Sequence, residues 1–276
     1  FYYDNFSLLT FFISLRDEPL FSLIFFFMDQ LGIPDVASVR TIIFLSTLTT
    51  FFVMLHNGRI PLYAFTFLLF FDWFISNYIN SLRLALASSI FLLGWFYANG
   101  YKKKLIFALT PLIHYNFFIV LGLVWLESVL RKMKMSVDMS ILITALSGLT
   151  FGIFVFIIAN FVGFIELSDR YSGFDGFVGI TLGPLFFLSL LIIFLMQGNA
   201  FKKKNLFSIM LITFYISSVF FFPPVSRVLI STIVLILVSG FSIKSYYKYI
   251  FIIMVMLYTF LFALSGKLIP AMFSNF

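Results

Sequence analysis

The stretch Asn77–His114 carries the side chains best suited to chemistry: one arginine, Arg83, within an apolar run, and one histidine, His114, just past Pro111. Asn77, Asn80, Arg83 and Ala87 recur at intervals of three, three and four, which aligns them along one stripe of a helix. A guanidinium in that stripe matches phosphate oxygens as a two-pronged fork. The plainer alternative is a structural arginine paired with Asp72 or another acid. A charged group costs about 2.5–3.5 kcal/mol to insert into a bilayer, so one that is retained usually marks a site. His114 reads either as a packing residue or as a functional group in an apolar hairpin.

Two further stretches carry polar groups. FIELSDRYSGFDGF (Phe164–Phe177) holds Glu166, Asp169, Arg170, Tyr171 and Asp175. An acid beside an arginine and a tyrosine could position a sugar or a phosphate, or simply form a solvated loop. FFPPVSRVL sets Arg227 just after Pro223–Pro224 at a helix start, where anions are favoured; the alternative is an interfacial anchor. His56 and Arg59, in HNGRIP, read as loop residues. No glycine-rich phosphate loop, metal-ligand spacing or GxSxG elbow is present, so neither a cofactor nor a metal is expected. The lysine triplets are too short and dispersed for a nucleic-acid surface.

The elements that must position these groups follow from composition. Of 276 residues, 62% are hydrophobic and 11% charged, and the mean hydropathy is +1.10. Such a chain reads as an all-α, polytopic membrane protein, a single transmembrane domain over 1–276 with the bilayer as its partner. Its 43 phenylalanines serve as lipid-facing filler and core, and the net charge of +7 reflects lysines anchoring cytoplasmic loops. With no cysteine there are no disulfides or thiolate metal sites. The chain opens at Phe1 without an initiator methionine, which leaves room for an upstream span, and no cleavable signal peptide is visible. Residues 1–37 are apolar but interrupted by charge, and read as an outer amphipathic segment.

Spans are expected at about 38–55, 62–76, 79–99, 139–163, 177–197, 206–222, 228–243 and 249–266, eight crossings in all. The clusters Lys102–Lys104, Arg131/Lys132/Lys134, Lys202–Lys204 and Lys244/Lys248 belong on the cytoplasmic side. Crossings agree with every cluster only if 105–130 enters and leaves on one side. That makes it a re-entrant hairpin turning near Pro111–Asn116, with His114 on the floor of an outward cavity. Residues 164–176 form an outer loop. The outer side then holds Arg16, Arg40, Arg83, Arg170, Arg227 and Lys267 with nine of the eleven acids. The small residues Ala85, Ala87, Ser88 and Ser89 allow close helix packing beside Arg83.

The pattern N-x-x-R-x-x-hydrophobic-A, then a lysine-rich turn, then an apolar stretch ending in histidine resembles the EpsG/Wzy-like family of O-antigen or exopolysaccharide repeat-unit polymerases. Asn80, Arg83, Ala87, Lys102–Lys104 and His114 carry it. Tyr3-Asp4-Asn5-Phe6 and Glu18-Pro19-Leu20-Phe21 look like that family's outer segment. The resemblance covers roughly residues 1–130; beyond that it rests on Asp169-Arg170-Tyr171 and Arg227. Leu84 stands where the family often has glutamine, and Asn116 where a serine often follows the histidine.

The resemblance implies a multi-pass enzyme of the bacterial inner membrane with its active site facing the periplasm. It would move a growing glycan from undecaprenyl diphosphate onto a lipid-linked repeat unit and invert the donor's anomeric centre. Such a reaction needs cations for the departing diphosphate, here Arg83, Arg170 and Arg227. It needs a base for the acceptor hydroxyl, from His114, Asp169 and Glu166. Asn80, Tyr171 and Asp4 would contact substrate, and a chain-length regulator is a candidate partner. Rival readings are a membrane acyltransferase, an O-antigen ligase, which typically carries a larger outer loop, and a non-enzymatic glycolipid flippase. The flippase usually has more helices and weak internal repeats, and no repeat is visible here.

Overall fold

A backbone that cannot reach water must satisfy its hydrogen bonds within its own segment, which a helix does and an open strand does not. The computed structural model describes residues 18–58, 60, 81–161 and 182–264, and among these every regular element is helical. The helices are α1 (Pro19–Gln30), α2 (Asp35–Gly58), α3 (Leu82–Tyr97), α4 (Gly100–Ile113), α5 (Asn116–Lys132) and α6 (Val137–Phe161). They continue with α7 (Leu182–Leu195), α8 (Asn199–Lys204), α9 (Leu206–Ser218), α10 (Ser226–Phe241) and α11 (Tyr247–Leu264). A short 3-10 turn, Pro223–Val225, precedes α10. The chain divides into two compact units, Phe1–Leu121 with Thr259–Phe276, and Gly122–Tyr258.

Three segments are long and apolar enough to cross a membrane: Asp35–Asn57, Val137–Ile158 and Pro223–Phe241. These apolar helices fit a membrane-embedded protein. The expectation of eight crossings is not met among the described residues. α3, α7 and α9 have 16, 14 and 13 residues, which at 1.5 Å per residue reach about 20–24 Å, against roughly 30 Å of hydrocarbon. Local geometry shortens them: α3 ends where Ala98 turns extended, and α9 gives way to the 3-10 turn at Pro223 and Pro224. The span expected at 62–76 lies outside the described residues.

In the first unit, α1 ends where Gly32 takes φ +70° and the amides of Gly32 and Ile33 reach back to Asp29 and Met28, a glycine-closed helix end. α2 and α3 pack closely through small residues. Ser89 Oγ donates to the Ser46 carbonyl at 3.0 Å, while Ala85, Ala87 and Ser88 are buried on the same helix. α3 and α4 follow as a helical hairpin whose core stacks Phe91 on Phe107 at 4.8 Å and sets Phe117 5.5 Å from Phe91. Pro111 does not break the helix, contrary to the sequence reading; it lies inside α4. Proline leaves the carbonyl four residues back without its usual donor, and Thr110 Oγ1 takes that Phe107 carbonyl at 2.8 Å. The break comes at His114 and Tyr115, where His114 is extended (φ −155°, ψ 121°).

In the second unit, α9 is buried along nearly its whole length. α6 lies against it through Gly148 and Gly152, four residues apart. A β-carbon at Gly148 would stand 2.2 Å from Ser217 Oγ and 2.8 Å from the Phe214 carbonyl. This small-residue pairing is how helices approach closely in lipid.

Each unit separates its basic groups from its opposite end. In the first, Lys103 reaches Trp95 near the C-terminus of α3, whereas Arg83 lies at that helix's N-terminus, 12 positions away and so about 18 Å along the axis. In the second, Arg131 Nη2 donates to the Lys203 carbonyl (3.1 Å), Lys202 pairs with Asp138 (3.3 Å), and Ser245 Oγ donates to Gln197 Oε1 (3.2 Å). The three basic segments of that unit therefore share one end, and Arg227 sits at the far end of α10.

Candidate functional site

Helix ends in the first unit bring three ionisable side chains into direct contact. Arg83 stands in the first turn of α3, His114 closes α4, and Glu18 immediately precedes α1. Arg83 Nη1 donates to Glu18 Oε2 at 2.7 Å, and His114 Nδ1 is hydrogen-bonded to Glu18 Oε1. Both oxygens of one carboxylate are thus engaged, one by each candidate from the Asn77–His114 stretch.

The backbone holds Glu18 as firmly as its side chain does. Glu18 adopts φ +59°, ψ +64°, left-handed and unusual for a side-chain-bearing residue. Such a conformation costs on the order of 1–3 kcal/mol and persists only where its surroundings fix it. Pro19 starts α1, a position that tolerates a missing N–H. The Glu18 carbonyl accepts from the amides of Phe21 and Ser22 (3.1 and 3.3 Å). Its own amide donates to Tyr115 Oη at 3.0 Å, so the break after α4 supplies both His114 and the clamp on Glu18.

Exposure orders the three. The Glu18 side chain is 5% exposed, His114 15% and Arg83 30%. The acid therefore lies behind, while the histidine and the arginine reach outward. Burial pushes the Glu18 carboxyl up, but the hydrogen bonds from His114 and Arg83, with the Arg83 charge, outweigh it and hold it below the ordinary 4.5. A carboxylate has only acceptors, so the proton of the shared bond sits on His114 Nδ1. The other ring nitrogen, Nε2, is 3.3 Å from Asn116 Nδ2 and in this tautomer accepts. That one in-plane lone pair is held by Asn116 here, and a hydroxyl that displaces the amide would meet the acceptor a general base requires. Phe21 completes the surroundings, with the Arg83 guanidinium 5.2 Å from its ring centroid.

No protein-family model, curated protein or solved structure matches this chain.

The site residues expected from sequence divide into three sets. Arg83 and His114 come together through Glu18. Arg227 belongs to the second unit, in the first turn of α10 behind the Pro223–Val225 turn. Asp4, Asn80, Glu166, Asp169, Arg170 and Tyr171 lie outside the described residues, as do Asn77 and Asp72. Among the described residues, the acid that pairs with Arg83 is Glu18. In the sequence it carries only the Glu18-Pro19-Leu20-Phe21 resemblance, with no role at the site. The usable signal was an acid directly ahead of Pro and an apolar helix, where burial of a carboxylate demands cationic partners. Among the described residues no three His, Asp or Glu side chains gather to hold a metal.

Proposed function

We propose that the chain is a polysaccharide polymerase of the bacterial inner membrane. It would transfer a growing glycan from undecaprenyl diphosphate to a lipid-linked repeat unit on the periplasmic side. The observation that carries this reading is the buried Glu18 carboxylate joining Arg83 to His114, at the end of its unit away from the lysines. In the proposed step the acceptor hydroxyl attacks the donor's anomeric carbon. His114 Nε2 takes the hydroxyl proton, and the bond from that carbon to the diphosphate oxygen breaks with its electron pair. The diphosphate leaves as an anion beside Arg83, which stabilises it as charge develops, and the anomeric centre inverts. Arg170 and Arg227 are further candidates for the diphosphate, Asp169 and Glu166 for proton transfer, and Asn80, Tyr171 and Asp4 for substrate contact.

An acid–histidine pair would also activate a hydroxyl for acyl transfer, which keeps a membrane acyltransferase as the second reading. The test is complementation: Arg83→Ala, His114→Ala and Arg227→Ala are expressed singly in cells lacking the enzyme, and glycan chain length is read on gels. Short or absent chains from Arg83→Ala and His114→Ala are expected. Normal long chains from all three variants refute the assignment, and transfer of a radiolabelled acyl group without chain elongation favours the acyltransferase.

A further inference from the structure

The chemistry proposed for the first unit leaves unused a second feature, the basic end of the second unit. Three segments distant in sequence meet there, as the bonds of Arg131 to the Lys203 carbonyl, Lys202 to Asp138 and Ser245 to Gln197 show. Its two acids are already engaged: Glu127 with Arg131 at 2.8 Å and Asp138 with Lys202 at 3.3 Å. Lys132, Lys134, Lys203, Lys204, Lys244 and Lys248 have no acid within ion-pair distance among the described residues. So much like charge gathered at one place repels itself unless anions collect around it.

Its surroundings identify the anion. Tyr246 and Tyr249 are 65% and 69% exposed beside Lys244 and Lys248, and Met133 and Met196 project openly at the same end. Tyrosines and apolar side chains mixed with lysines suit the headgroup layer of a bilayer, where one end of a residue is wet and the other apolar. Along α6, leading away from this end, Leu142, Leu146, Ile153 and Phe154 are exposed, as a hydrocarbon-facing helix requires. We infer that this end is a binding collar for anionic phospholipid headgroups, whose phosphates the six lysines collect.

The experiment uses the full chain in nanodiscs of equimolar phosphatidylcholine and phosphatidylglycerol, with bound lipids counted by native mass spectrometry. Co-purified phosphatidylglycerol should exceed phosphatidylcholine. Each lysine near an anionic surface is worth about fivefold in affinity, so Lys132→Gln/Lys134→Gln/Lys203→Gln/Lys204→Gln should abolish the preference. The same four positions changed to Arg should keep it, which separates charge from folding. Equal retention of both lipids, or an undiminished preference in the glutamine variant, overturns the inference. So does single-stranded RNA displacing phosphatidylglycerol at equal phosphate concentration. None of these outcomes depends on whether the first unit polymerises glycans.

Discussion

Replacing Glu18 by glutamine keeps the shape of the side chain and removes what the geometry uses. The native carboxylate accepts from Arg83 at 2.7 Å and from His114 Nδ1. Arg83 and His114 each face a different carboxylate oxygen, and a glutamine keeps an acceptor at only one of those two positions. If the oxygen stays with Arg83, the NH2 faces Nδ1, and the ring must move its proton to Nε2. On the polymerase reading proposed above, His114 would then meet the acceptor hydroxyl with a donor where a lone pair is needed. Loss of general-base catalysis costs about 10²–10⁴-fold in rate, about 2.7–5.4 kcal/mol of barrier at 1.36 kcal/mol per tenfold. Hydrogen bonds to charged groups contribute about 1.5–3 kcal/mol each to stability. With Arg83 30% exposed and able to recruit water, the folding penalty should fall near 2–3 kcal/mol. The activity loss should therefore exceed the loss of stability. The assay pairs glycan chain length in complemented cells with thermal unfolding in detergent. Because the Glu18 carboxyl lies below 4.5 when folded, its stabilisation is present above that pH and lost as pH falls from 4.5 through the depressed value. Glu18→Gln should flatten this acid limb. Full-length glycan from Glu18→Gln, or an unchanged acid limb, refutes the reasoning.

Four further outcomes follow from the same contacts. Tyr115→Phe removes the acceptor of the Glu18 amide and should lower stability by about 1–3 kcal/mol, with shortened glycan chains because Glu18 is no longer held; unaltered unfolding and chain length would count against the clamp. Thr110→Val leaves the Phe107 carbonyl without the hydroxyl beside Pro111, and thermal unfolding should show a loss of about 1–3 kcal/mol. Gly148→Leu sets a side chain against the Phe214 carbonyl and Ser217 Oγ, so the protein should fail to accumulate or should melt far lower on size-exclusion analysis. The double variant Glu18→Gln/Arg83→Gln leaves no unpaired buried charge and should be more stable than Arg83→Gln alone, by calorimetry, yet stay inactive.

How much was legible beforehand depended on whether the signal was local. Helical class followed from composition, and close helix packing along α3 from the small residues around Ala87, though not which helix would fill it. Arg83 and His114 stood out because charge and imidazole are rare in so apolar a chain. Glu18 did not, since its partners are 65 and 96 positions away and no spacing rule reaches that far. Pro111 misled for a related reason: the threonine that satisfies the freed carbonyl is adjacent, yet whether it turns inward is decided by the helix around it. Among the described residues fewer segments can cross than expected, because apolar length in sequence does not reveal where a helix stops. The ends of α3 and α9 are set by the extended Ala98 and by the turn into Pro223.

On the proposed reading, the ion pair that makes Glu18 tolerable also shapes when the site becomes positive. With the proton on Nδ1 alone, the charges of Glu18 and Arg83 cancel and the cluster is neutral as a whole. Proton transfer from the acceptor hydroxyl to Nε2 makes the histidine cationic and the cluster net positive. That change occurs as negative charge builds on the departing diphosphate, so the attraction is stronger in the transition state than with bound donor. Only interactions of that kind accelerate the chemical step; a site already strongly cationic at rest would grip donor and product diphosphate alike and slow their release. A buried acid between an arginine and a histidine is therefore better fitted to turnover than two isolated cations. The same logic explains why the acid has to sit behind the other two: exposed to water, its pull on the histidine proton would weaken, and the tautomer that makes Nε2 a base would no longer be fixed.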